Sequence, residues 1–248
     1  MTSGQRDAGP IGVLVAMPEE GTALVDAMDV TDRIEHGRRV FLVGDLWGVS
    51  SIIVVARCGK VAAATTVTEL IVRFGVSQVI CTGVAGGVGK GVGIGDVVVA
   101  DELVQHDLDP RPLWPRYIVP LLETGTFATD PALSSRITDA ARAQADEDGA
   151  GGAVHIGLIA SGDEFIHGPS RAHEIRDSLP GVLAVEMEGA AVAQVCYEYG
   201  VPCAVFRTIS DRADSDAASD FGDSLGTIAA SHTRGILSRV FRDGLTGV

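Results

Sequence analysis

Short runs rich in Val and Ile alternate along this chain with Ala-rich segments whose apolar residues recur at helical spacing. A buried strand and an amphipathic helix that keep alternating pack stably as a sheet covered by helices, so this pattern constrains the fold most. The first part reads as a strand Ile11–Ala16, a helix from Pro18 to about Met28, strands Val40–Val43 and Ile52–Ala56, and a helix Lys60–Phe74 ended by Gly75. Strand Gln78–Thr82 then runs into a loop, Gly83–Gly95, that holds seven glycines. Strand character resumes over Asp96–Leu103, followed by an irregular, proline-bearing stretch Gln105–Thr129. The rest reads as a helix Pro131–Glu147, a surface turn Asp146–Gly152, a strand His155–Ala160, a polar loop Ser161–Ser170, a helix Arg171–Ser178, a strand Leu183–Val185, a helix Gly189–Tyr199, a strand Cys203–Ile209 and a closing helix Phe221–Arg242. These elements predict an α/β fold: a single-domain three-layer sandwich with a central twisted mixed β-sheet. Residues 1–10 read as a disordered N-terminal tail and 11–248 as one domain, with no repeat or linker between.

With 248 residues, 46% of them hydrophobic, the chain can bury a sizeable core. Acidic residues outnumber basic ones, 33 to 19, and a net charge of −14 repels a phosphate backbone, which argues against nucleic acid as a partner. No apolar run is long enough to span a membrane, and the start lacks a signal-peptide pattern. Cys58, Cys81, Cys196 and Cys203 form no CxxC pair and have no clustered histidines, so neither a metal nor a cofactor is expected. Three of them lie in apolar runs and read as reduced residues of a cytoplasmic protein.

In open α/β sheets ligands sit beyond the carboxyl ends of strands, and four such ends carry reactive residues here. Met17-Pro18-Glu19-Glu20 follows the first strand; acids there favour the positive end of a helix whatever else they do. Val84, Ala85 and Gly86 lie in a glycine-rich loop whose backbone N–H groups can approach a ligand, although it is neither a GxGxxG nor a Walker sequence. Glu186-Met187-Glu188 sets two carboxylates on one side of a strand, a repulsion that needs a reason. Finally Arg207 and the Ser210-Asp211 pair end an apolar strand, where an acid can keep its proton and act as a donor.

Taken together the stretches IGVLVAMPEE (11–20), CGKVAAATT (58–66), TGVAGGVGKGVGIGDVVVADELVQHD (82–107), GLIASGDEFIHG (157–168), AVEMEGAAVAQVCYEYGVP (184–202) and FRTISDRAD (206–214) resemble the 5′-methylthioadenosine/S-adenosylhomocysteine nucleosidase family, in the nucleoside phosphorylase superfamily. The resemblance spans about residues 11–107 and 155–240. It implies a nucleoside phosphorylase-like domain, usually a homodimer, that hydrolyses the bond between adenine and the sugar of a small nucleoside. By the family's motifs, Asp211 is the proton donor, oriented by Ser210. Glu20 holds water, Glu188 binds the ribose with Met187 against the sugar, and Arg207 lies near the water. Phe165 stacks on adenine and Ile166 reads its edge through the backbone. Glu186, Val84, Ala85, Gly86 and Cys58 complete the expected substrate contacts. Adenine is a poor leaving group as an anion, so protonation at nitrogen 7 lets it leave neutral while carboxylates shelter an oxocarbenium-like sugar.

Three departures stand out. Val84 replaces a common Ser, Arg57-Cys58-Gly59-Lys60 replaces a common S-G-I-G-K, and Asp107–Phe127 matches little of the usual segment that forms the 5′ pocket and reaches the partner subunit. Arg57 brings a charge beside that pocket or is a plain surface arginine. Trp114 and Tyr117 could build a different pocket wall. Two rivals follow. A phosphorylase of the same superfamily would need arginines converging on phosphate, with Arg57 and Arg207 as candidates. A nucleoside-binding protein without catalysis would need fewer acids than the chain carries.

Overall fold

In the computed structural model, residues 9–148, 152–224 and 230–242 are described. They form seven helices and ten strands in the order β1 (Ile11–Val15), α1 (Pro18–Val25), β2 (Met28–His36), β3 (Arg39–Leu46), β4 (Val49–Val55), α2 (Lys60–Val72), β5 (Gln78–Gly87), β6 (Val97–Gln105), β7 (Thr126–Ala128), α3 (Pro131–Asp148), β8 (Val154–Ser161), α4 (Pro169–Ser178), β9 (Val182–Glu186), α5 (Gly189–Tyr199), β10 (Cys203–Asp211), α6 (Ala217–Ser224) and α7 (Ala230–Arg242).

Side chains alternate across the sheet as a two-residue period demands. Leu14, Cys81, Val98 and Val205 face one way, into a core shared with Ala63, Val67 and Leu70 of α2 and Ala190–Ala193 of α5. Their neighbours Val13, Ile80, Val99 and Phe206 face the other way, onto α1, α3 and α7. The helix–sheet–helix layering and mixed sheet expected from the sequence are therefore present. One feature was not legible: β5, β10, β6, β8 and β9 pair in a closed circuit, while β1, β4, β3 and β2 extend from β5 as an open wing.

That circuit creates the site. Along one edge of β5, β1 pairs as far as Val15↔Thr82, and β9 begins only at Val185↔Gly86. The gap, opposite Gly83–Ala85, is where β1 turns away into α1. On the other edge, β5 and β10 are in register to Ile209↔Ala85 and then slip, so that Asp211 faces Gly86 and Ser210 is the extra residue of a bulge. A bulge re-aims a strand's side chains, and here it brings two consecutive residues onto the same cavity.

Several expectations are corrected. The first helix ends at Val25, and Met28 opens a strand unseen in the sequence; β2 is an edge strand with almost no buried face, hence no alternation to detect. The glycines at 83, 86 and 87 extend β5 to Gly87 instead of beginning a loop, because β10 and β9 supply backbone partners there. Of the closing helix expected over Phe221–Arg242, 221–224 lie in α6 and 230–242 in α7, and residues 225–229 lie outside the described residues. Residues 1–8 of the expected tail and 149–151 of the expected turn lie outside the described residues, and Gly9 and Pro10 are fastened by the hydroxyl and N–H of Ser77.

Candidate active site

Helix α1 begins at Pro18, whose ring suits a first turn. Glu20, three residues past the N-cap Met17, bends back in the manner of a capping box. Its Oε2 accepts the N–H of Ala16 at 2.8 Å and of Met17 at 2.9 Å, and its Oε1 accepts the N–H of Val84 at 3.0 Å. Burial raises the Glu20 carboxyl above its ordinary pKa, against Arg207 and these N–H groups, which lower it. Gly83 is required beside it: a Cβ there would fall 2.5 Å from both Glu20 Oε1 and Arg207 Nη1.

The paired carboxylates of β9 have separate fates. Glu186 caps α5, accepting the N–H groups of Glu188 and Gly189 at 3.0 and 2.8 Å, and also takes the Ser161 hydroxyl and the Arg207 guanidinium. Its oxygens are fully used. Glu188 accepts the Gly59 N–H at 2.8 Å on Oε1 and Arg207 Nη2 at 3.3 Å on Oε2. Gly59 adopts φ +98°, a backbone that favours glycine, and this turns its N–H toward Glu188. Burial pushes the Glu188 carboxyl up to about 7; Arg207 opposes this and Glu186 reinforces it. Arg207 is the reason two carboxylates can sit together: it is wholly buried, donates Nη1 to the Thr82 carbonyl at 3.0 Å, and directs Nη2 to both glutamates.

Asp211 receives the Ser210 hydroxyl on Oδ2 and the Ala213 N–H on Oδ1, each at 2.8 Å. Burial raises its pKa despite these bonds, which favours a protonated side chain.

One cavity of about 120 Å³ joins these groups. Glu20, Glu188, Asp211, Ser210, Met187, Glu186, Phe165, Val84, Ala85, Gly86 and Cys58 all line it. Ile166 is buried in the wall of a small adjoining pocket that shares Phe165, Met187 and Asp211. Arg207 is different: it lies beneath the carboxylates and does not line the cavity. Arg57 also turns away, donating to the carbonyls of Gly37 and Arg38, so it puts no charge beside Cys58 in the cavity. Among the described residues no lysine or arginine lines the cavity, and none of residues 107–127 does. Sequence reasoning missed Ser161 and Gly59, which hold Glu186 and Glu188; the GLIASGDEFIHG and CGKVAAATT stretches contain them without marking their roles. No group of three or more His, Cys, Asp or Glu residues among the described ones is arranged to hold a metal ion.

A sequence profile of the phosphorylase superfamily matches residues 10–242. A 5′-methylthioadenosine/S-adenosylhomocysteine nucleosidase of Actinobacillus succinogenes is 39% identical over 218 residues, 87% of this chain and 91% of that protein. An aminodeoxyfutalosine nucleosidase of Helicobacter pylori is 37% identical, covering 93% of this chain and 97% of its own length. The crystal structure of the 5′-methylthioadenosine/S-adenosylhomocysteine nucleosidase of Neisseria meningitidis with methylthio-immucillin-A superposes with a TM-score of 0.88 at 35% identity, covering 95% of this chain and 99% of that one.

Proposed function

The chain belongs to the phosphorylase superfamily and, within it, to the 5′-methylthioadenosine/S-adenosylhomocysteine nucleosidases, and from that premise we propose how its own residues hydrolyse the N-glycosidic bond of a 5′-modified adenine nucleoside. The products are adenine and the free 5-substituted ribose. The observation that carries the assignment of roles is the convergence of Glu20, Glu188 and Asp211 on one cavity.

Burial favours the protonated form of Asp211, which gives its proton to nitrogen 7 of adenine; Ser210 holds the carboxyl in place. Phe165, partly exposed at the rim, stacks on the departing base, and the backbone of Ile166 meets its edge. Met187 and Glu188 contact the ribose, and Glu188 and Glu20 stabilise the positive charge that grows on it. Glu20 orients the attacking water. Arg207 is a positioning residue: it fixes Glu188 and keeps Glu186 and Glu188 together, without touching substrate. Val84 costs the site no support for Glu20, whose partners are backbone N–H groups.

Phosphorolysis lacks its requirement here, since neither Arg57 nor Arg207 is available to a phosphate in the cavity. Binding without turnover leaves three acids with no purpose. The test is a panel of adenosines carrying methylthio, homocysteinyl, hydrogen and carboxylate-bearing 5′ groups, with inosine, assayed with and without phosphate. Adenine and free pentose are expected, independent of phosphate. No base release from any member, or a pentose 1-phosphate product, would sink the reading.

The working assembly we propose is a homodimer in the cytoplasm. Val61 and Val72 of α2, Tyr197 and Tyr199 of α5, and Leu113 and Leu121 of the irregular segment are exposed, and α2 packs on α5. Exposed apolar side chains of this kind suit a partner subunit whose own 107–127 segment closes the 5′ side. Four free cysteines fit a reducing compartment. With methylthioadenosine as substrate the place is methionine salvage. A monomeric mass in solution would remove the dimer.

A further inference from the structure

Helix α2 starts on a glycine, and Gly59 has no side chain with which to cap it. The first N–H groups of a helix need partners, and the first turn of α2 carries no acid of its own. Two carboxylates from far along the chain supply them. Glu188 takes the Gly59 N–H, and Asp163 takes the next one, that of Lys60, at 2.8 Å on Oδ1. Glu188 belongs to the sugar end of the cavity. Asp163 does not line the cavity, but it stands two residues before Phe165, at the base end.

Asp163 is itself held. Its N–H donates to Asp107 Oδ2 at 2.9 Å, and Asp107 Oδ1 accepts Lys60 Nζ at 2.5 Å. The contacts therefore close into a ring: Lys60 to Asp163, Asp163 to Asp107, and Asp107 back to Lys60. Three segments meet in it: the start of α2, the residues after β6 and the connection from β8 to α4. A lysine in the first turn of a helix opposes the macrodipole, and Asp107 offsets that charge. Burial would raise the Asp107 carboxyl, but Lys60 and the Asp163 N–H outweigh it and hold it below its ordinary value. Lys60 also donates to Gln105 Oε1 at 3.1 Å, and the Gln105 amide donates to Gln194 of α5 at 2.7 Å. The ring is thus braced against the helix that Glu186 caps.

We propose that Asp163 is a positioning residue for the hydrolysis described above: through Lys60 and Asp107 it fixes the turn that presents Gly59 to Glu188 against the segment that presents Phe165 to adenine. The inference rests on the roles given there to Phe165 and Glu188. Base and sugar are held by separate segments, so their spacing across the breaking bond is set by groups that touch both segments. Asp163 does so: its carboxylate meets the residue after Gly59, and its own backbone leads to Phe165.

The experiment compares Asp163→Ala and Asp163→Asn in the full chain, with 5′-methylthioadenosine as substrate. Asp163→Ala should lower kcat and raise KM, with kcat/KM down about tenfold and the unfolding midpoint retained, since a transition-state contact and a binding contact both lose alignment. Asp163→Asn keeps an oxygen for the Lys60 N–H and should restore most of the loss. Asp107→Ala should act like Asp163→Ala, and the double variant should be no worse than either, because one ring is being cut. Amide hydrogen exchange without substrate reads the same link. In Asp163→Ala the Gly59 N–H, which bonds to Glu188 and not to Asp163, should lose protection about fivefold or more. Unchanged kcat/KM, a rise in KM alone, no rescue by Asp163→Asn, additive losses in the double variant or an unaltered Gly59 amide overturns the proposal. Absence of adenine release from the parent is a failure of the hydrolytic reading instead, and the exchange measurement then decides alone whether the ring holds the Gly59 turn.

Discussion

Arg207 in β10 and Arg39 at the start of β3 are both withdrawn from water, yet their charges are met in opposite ways. Arg207 is enclosed by Glu186 and Glu188. Burial alone would pull its proton affinity down, but those carboxylates outweigh it and the net effect is upward. Arg39 donates to carbonyls only; burial and the nearby Arg57 pull its affinity down, and Glu69 of α2 opposes them without reversing the effect. The first arrangement balances charge inside the protein. It can therefore stay dry and hold carboxylates rigidly under a reacting sugar. The second rests on carbonyl dipoles, and its one opposing carboxylate, Glu69, forms no ion pair with it.

The sharpest way to break this comparison is Arg207→Met. It strands two buried glutamates without their counter-charge, and losses of about 3–5 kcal/mol are expected for breaking such a network. Denaturant unfolding measures it; a loss below ~1 kcal/mol would mean the carboxylates never relied on Arg207. Next is Asp211→Asn, which keeps the shape and can still accept the Ala213 N–H but holds no transferable proton. Turnover should fall at least ~100-fold with unfolding midpoint retained. Unchanged adenine release would mean the proton comes from elsewhere.

Much of this was legible in the chain, and the exceptions share a cause. Helix α5 matches its expected bounds at both ends, because Gly200 in left-handed backbone stops it and an acidic strand end starts it. The acids at positions 20, 188 and 211 drew attention because each lies near the end of an apolar run, and the family resemblance supplied the roles expected of them. The roles of Glu186 and Glu188 could not be separated in sequence, since what divides them is Gly59 and Ser161, far away along the chain and brought near only by the fold. Arg57 and Cys58 are adjacent, yet only Cys58 lines the cavity; the side Arg57 takes is set by the carbonyls of Gly37 and Arg38, which the fold brings near, so sequence left both places open. The strand circuit depends on pairings between distant segments, which no local period reports.

A smaller effect sharpens the balanced side. Burial lifts Glu188 from its ordinary 4.5 to about 7, with Arg207 opposing and Glu186 adding. Between those values the folded protein keeps a proton that the unfolded chain has lost. Stability is therefore fully present below about 4.5 and declines as pH rises toward 7. Glu188→Gln cannot titrate, so its unfolding midpoint should vary less across that window than the parent's. Glu20 and Asp211, shifted in the same direction, leave a residual slope. Parallel curves for parent and variant would place Glu188 outside this linkage.

The smallest expected effect tests the unbalanced side. Arg38→Gln removes an exposed charge beside Arg57 and no ion pair. Its unfolding free energy should change by no more than about 0.5 kcal/mol, and toward greater stability at low salt, because repulsion from Arg39 and Arg57 is relieved. A loss above ~1 kcal/mol would show that Arg38 already has an internal counter-charge. The two arginine sites would then obey the same rule, and their contrast would vanish.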